Sequence, residues 1–159
     1  MIINEISLSN FRIFPAVETI VDLNNVPHLD HAEKSSILLA LQKIFGETTE
    51  DNRVTAEDFN TLGTMTVSVK ISFPEFADPA AAAEPCHRQL FKYMQIGSDG
   101  QLFCRLSLSA FRHDLISSIE QHLYWELPGE LHIPLTPAEH TIFTPAFLAG
   151  SCSRIICHE

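Results

Sequence analysis

From Met65 to Phe73 every second residue is apolar: Met65, Val67, Val69, Ile71 and Phe73 alternate with Thr66, Ser68, Lys70 and Ser72. Successive side chains of a strand point to opposite faces, so a period of two specifies a sheet with one face buried and the other wet. The rest of the chain must therefore supply an apolar layer for one side of this strand only. Pro74 follows directly and ends it.

That layer is supplied by the segment that begins at Ser35. Ile37, Leu38, Leu41, Ile44 and Phe45 recur at helical spacing, Ser35 or Ser36 can serve the helix start, and Gly46 stands where a C-terminal cap belongs. Upstream, Ile2 to Leu8 reads as a first strand, and Val17 to Leu23 as a second, antiparallel to the first across the turn around Pro15. Thr48 to Gly63 reads as a polar connection, and the alanine-rich stretch Asp78 to Pro85 as a short surface helix or a linker.

Downstream, Leu90 to Ile96 and Leu102 to Ser109 flank Gly97-Ser98-Asp99-Gly100, whose Asp-Gly step supplies the positive φ of a hairpin turn. Asp114 to Trp125 fits a short helix running into a strand. Beyond it, Pro134, Pro137 and Pro145 break any long element. The expected organisation is one folded unit over residues 1–125 and an irregular segment over 126–159. Its class is α/β (α+β), with mixed and antiparallel strands packed on one principal helix.

Composition narrows the partners. The 159-residue chain is 45% hydrophobic and 19% charged, as globular domains are. Twenty acids against ten Lys and Arg give a formal charge of −10, which repels a nucleic-acid backbone or an anionic membrane. The basic residues Arg53, Lys70, Arg88, Lys92, Arg105 and Arg112 are scattered singly. No segment approaches the roughly 20 apolar residues of a membrane span, and the N-terminus has no signal-peptide pattern, so a cytoplasmic location is expected. Cys86, Cys104, Cys152 and Cys157 read as reduced thiols in that setting.

A strand, a loop and a helix beginning Lys34-Ser35 are also the setting of the phosphate-binding loop G-x-x-x-x-G-K-[ST]. In that loop glycines let backbone N–H groups turn inward onto phosphate oxygens, lysine neutralises the β- and γ-phosphates, and the hydroxyl ligates magnesium. Here His28 and Glu33 hold the two glycine positions, and Pro27 removes a further N–H. A carboxylate a few ångströms from a polyanion costs on the order of 1–4 kcal/mol. Helix capping explains Lys34-Ser35 without a ligand.

Three stretches carry a family resemblance: Met1-Ile-Ile-Asn-Glu-Ile-Ser-Leu-Ser-Asn-Phe-Arg12, Val21-Asp-Leu-Asn-Asn25, and Lys34-Ser-Ser-Ile-Leu-Leu-Ala-Leu-Gln-Lys-Ile-Phe-Gly46. Together they resemble the start of an ABC-type ATPase of the RecF/SMC-like group. Arg53-Val-Thr-Ala-Glu-Asp-Phe59 and Ser118-Ile-Glu-Gln-His-Leu-Tyr-Trp125 are most similar to the OLD (overcoming lysogenization defect) family of ATP-dependent nucleases.

The resemblance implies the N-terminal lobe of a P-loop ATPase head, ATP and Mg2+ held by Lys34, Ser35 and Ser36 with Arg12 near the nucleotide, and work on DNA in repair or phage defence. It also implies pairing with a longer ATPase subunit or with a second copy. The Walker A is degenerate, and no Walker B pair, ABC signature or TOPRIM acidic cluster follows. The expectation is a truncated head with no independent ATP hydrolysis or nuclease activity. The alternatives are a non-enzymatic interaction domain on the same fold, and a metal-binding module formed by His28, Asp30, His31 and Glu33.

Other groupings read as structural. Cys152, Cys157 and His158 lack a Cys-x-x-Cys pair. Glu57-Asp58 reads as solvated loop charge, since adjacent side chains point apart. Trp125, Tyr124 and Phe103 read as sheet packing because no basic residue interleaves with them.

Overall fold

The structure is a computed structural model that describes residues 2–24, 28–76, 89–113 and 118–142. The strands are β1 (Ile2–Ser9), β2 (Thr19–Asp22), β3 (Gly63–Ser72), β4 (Gln95–Ile96), β5 (Leu102–Arg112), β6 (Ile119–Leu127) and β7 (Leu131–Pro134). They form one antiparallel sheet in the order β2-β1-β3-β5-β6-β7, with β4 beside one end of β5. Helix α1 (His31–Phe45) and the single turn α2 (Thr49–Asn52) lie between β2 and β3 in the chain.

The alternation at 65–73 does what its period requires. Met65, Val67, Val69 and Ile71 are fully buried, and on β5 Cys104, Leu106, Leu108 and Ala110 share the same face. Ile37, Ala40, Leu41, Ile44 and Phe45 of α1 close the core with them. The opposite sheet face bears the hydroxyls and charges. The fold is thus α+β, with every strand pairing among the described residues antiparallel; the mixed sheet expected from the sequence is not what forms.

Several boundaries move, each for a physical reason. Helix α1 starts at His31, a turn before Ser35, because Asp30 caps it by accepting the Glu33 N–H at 2.8 Å. Gly46 sits at the C-cap with φ −60°, so no left-handed turn requires it; a Cβ there would lie 2.4 Å from that of Asp51, and this close approach is the constraint. The hairpin forms with φ +80° at Gly100, but its first arm is only Gln95–Ile96.

Residues 119–127 are strand throughout, so the helix expected there is absent over that span; 114–117 lie outside the described residues. The boundary drawn at residue 125 falls inside β6. Residues 126–142, expected to be irregular, complete β6, add β7 and form a helical stretch over 137–142. Leu135 N–H donates to Leu123 C=O at 3.0 Å, and His140 Nε2 meets Ile44 C=O at 2.9 Å. The alanine-rich stretch and the three remaining cysteines also lie outside the described residues; Cys104 is a buried thiol whose ionisation burial opposes.

Candidate functional site

Asn10, Phe11 and Arg12 form a corner after β1. Asn10 and Arg12 have φ +58° and +51°, the left-handed region that costs most residues about 1–2 kcal/mol. Side-chain bonds offset that cost. The Asn10 carbonyl accepts from the Thr61 N–H at 2.7 Å and the Thr61 hydroxyl at 2.9 Å, while its amide donates to Thr61 C=O at 2.9 Å. Phe11 forms an antiparallel bridge to Phe59, and Asn60 donates to Arg12 C=O at 2.7 Å.

Arg12 itself is turned onto Asp58. Its Nε and Nη2 lie 2.9 and 2.7 Å from Asp58 Oδ1, and its N–H donates to Asp58 C=O at 2.8 Å. The other carboxylate oxygen takes Lys43 Nζ at 3.3 Å and the Thr55 N–H at 2.8 Å. Asp58 is fully buried, so this is a charged centre of two cations and one anion in which both oxygens are engaged. The reading of Asp58 as solvated loop charge is therefore corrected. Thr55-x-x-Asp58 is a capping-type spacing, and that was the available signal. Lys43, the second cation, gave none beyond its place near the end of α1.

At the other end of α1, the four N-terminal amides of the helix are its anion-binding potential. The Asp30 carboxylate already accepts the Glu33 N–H, and the Lys34 N–H donates to Asp30 C=O at 3.1 Å. Lys34 is 5% exposed and Ser36 4% exposed; both lie within the helix body, and Ser35 is half-buried beside them. The order is Asp30, the first helical turn, then Lys34-Ser35, with a carboxylate where a phosphate would approach. ATP-Mg2+ does not fit these residues as they are arranged. Asp30 is also occupied as a cap, and among the described residues no three His, Cys, Asp or Glu side chains gather as a metal site needs.

A second cluster joins Trp125, read from the sequence as sheet packing, to Tyr93, Thr136 and Glu139, for which the sequence offered no role. Trp125 is fully buried and stacks on Tyr93, with ring centroids 4.6 Å apart. Glu139 is buried against them, and the Thr136 N–H and hydroxyl each reach its Oε1 at 3.0 Å. Burial, followed by the hydrogen bond and charge of Glu139, pushes the Tyr93 phenol up to about 12. The stacked phenol and indole pack this end of the sheet.

Among the described residues no helix is long and apolar enough to cross a membrane. No family model matches the chain, and no curated protein matches its sequence.

Proposed function

We infer that this chain is a lobe of the OLD-like ATPase-head type that no longer turns over nucleotide and acts by protein contact. The resemblance in residues 1–46 and the antiparallel sheet packed on a Lys-Ser helix support the head-like reading. One observation carries the loss of turnover: the N-terminus of α1 is closed by its own Asp30 carboxylate, with the Lys34 side chain buried. Hydrolysis requires a positioned water and a charge clamp on the γ-phosphate. Neither Asp30 nor Glu33 offers a phosphate anything but repulsion, so no step on ATP is assigned to this chain.

Calorimetric titration of ATP-Mg2+ into wild type and Lys34→Ala tests the reading. The expected result is no saturable heat in either. Saturable binding in wild type that is lost in Lys34→Ala overturns it and restores a nucleotide site at Lys34.

A further inference from the structure

The sheet face turned away from α1 carries a row of charges in register. Asp22 on β2 pairs across to Glu5 on β1, Glu5 to Lys70 on β3, and Lys70 to Arg105 on β5. The signs therefore run negative, negative, positive, positive over these four strands and change between β1 and β3; one strand further Arg105 stands opposite Glu126 on β6, outside the four. Beside this row runs a second, Ile20, Ser7, Ser68 and Ser107, in which Ile20 is 61% exposed, the three serines are short, and Ser7 and Ser107 are buried. A trough of about 500 Å3 lies over the same boundary, with Glu18 and Ile20 on one wall and Arg105 and Glu126 on the other.

A row with this sign order is complementary to itself. A two-fold axis parallel to the strands, passing between β1 and β3, exchanges β1 with β3 and β2 with β5. It sets Glu5 against Lys70 of a second copy and Asp22 against Arg105 of a second copy, and each contact occurs twice. An isologous interface requires this antisymmetry, since every group must meet its complement across the axis. The same operation brings the exposed Ile20 over the outer face of β5 in the other copy. Two sheets pack face to face at about 10 Å, a spacing that the serine floor allows.

Within one chain Asp22 accepts the Asn24 N–H at 2.9 Å, while the two cations are only loosely used. Arg105 Nη1 is 3.7 Å from Glu5 Oε1 with both side chains about a third exposed, and Lys70 Nζ lies 4.7 Å over the Phe103 ring. Both cations can re-pair without leaving a buried charge alone.

We propose that the outer face of the sheet is a self-complementary interface that pairs two copies of this chain about an axis between β1 and β3. The inference goes beyond the functional reading above and does not depend on it. The bulk charge of −10 opposes association, so a dimer that forms does so through local complementarity.

Sedimentation equilibrium on the whole chain tests this with two double variants. Lys70→Glu with Arg105→Glu makes these four positions all negative; Asp22→Lys with Glu5→Lys makes them all positive. Wild type is expected to dimerise, and each variant alone to lose at least ~10-fold in dimer affinity. Mixing the two is expected to restore a heterodimer. The all-positive variant is decisive, because it lowers the bulk repulsion and would dimerise better if net charge governed association.

A wild type that stays monomeric at about 0.1 mM overturns the proposal, as does a dimer that both variants retain or a mixture that forms no heterodimer. Ile20→Arg leaves the four charges of the row unchanged and guards against misfolding of the double variants. It is expected to weaken the dimer with its circular dichroism unchanged, and a dimer of wild-type affinity in Ile20→Arg counts against the proposed face.

Discussion

Replacing Asp58 by Asn removes one negative charge from a buried position that holds two cations, and leaves Arg12 and Lys43 facing each other across a neutral amide. Breaking a buried pair in this way costs about 3–5 kcal/mol. The Arg12 side chain remains 28% exposed, so the low end applies. Asp58→Asn is expected to lower stability by about 3 kcal/mol, seen as a fall in the urea midpoint at unchanged slope. Glu57→Gln, one residue away and exposed, is expected to stay within ~0.5 kcal/mol of wild type. Equal effects at the two positions would show that Asp58 is not a centre.

Asn10 separates backbone strain from hydrogen bonding at the same corner. Asn10→Gly keeps the left-handed φ open but deletes the bonds to Thr61, so glycine is expected to rescue little. Both Asn10→Gly and Asn10→Ala should cost about 2 kcal/mol or more, alanine the more by about 1. A glycine variant of wild-type stability would mean that φ alone made asparagine necessary.

Elements were legible in the sequence in proportion to how unambiguous their period is. β3 could be read directly because its alternation runs unbroken, and α1 because Ile37, Leu41 and Ile44 share one face. β6 was harder: Ile119 and Leu123 stand four apart as on a helix, and Gln121 interrupts the period of two that Ile119, Leu123, Trp125 and Leu127 actually follow. Gln121 faces the same side because it has its own work there, accepting the Val54 N–H at 2.8 Å and donating to Asn52 C=O at 2.8 Å. Polar bonding at one inward position hid the strand. The start of α1 was hidden by its polar first turn, although Asp30-x-x-Glu33 is a capping spacing; Asp30→Ala is expected to cost about 1 kcal/mol in the same urea assay.

The helical stretch over 137–142 supports a pH prediction. Burial resists ionisation of Glu139, but the Tyr93 hydroxyl, the Thr136 amide and hydroxyl and the Trp125 indole outweigh it and hold the carboxyl below its ordinary range. In that acid window the native state binds fewer protons than the unfolded chain, so stability rises with pH there. The contribution is complete above the ordinary glutamate range and is lost as pH falls through the native value. Urea midpoints measured from about pH 7 to about pH 3 should therefore fall less steeply for Glu139→Gln than for wild type. Parallel curves would mean that Glu139 contributes nothing to the acid dependence.

At the scale of the molecule, the division expected at residue 125 and the observed sheet make opposite demands on a shortened chain. A unit ending at 125 would be self-sufficient if residues 126–159 were irregular. In the structure that cut severs β6 and removes β7, whose Ile133 stands opposite Trp125, and it also removes Glu139 and Thr136 from beside the Tyr93–Trp125 stack. Trp125 is the only tryptophan and is fully buried, so its emission reports on this region without labelling. Burying an aromatic side chain of that size contributes about 1.5–3 kcal/mol, a large share of a stability of about 5–15 kcal/mol. The sheet would also be left with the stub of β6 as an unpaired edge. The 1–125 piece is therefore expected to show red-shifted Trp125 emission and a broad, weakly cooperative urea transition, where the whole chain shows blue-shifted emission and a single sharp one. Native-like emission and cooperativity in the 1–125 piece would mean that β7 and the 137–142 helix only decorate a core already complete.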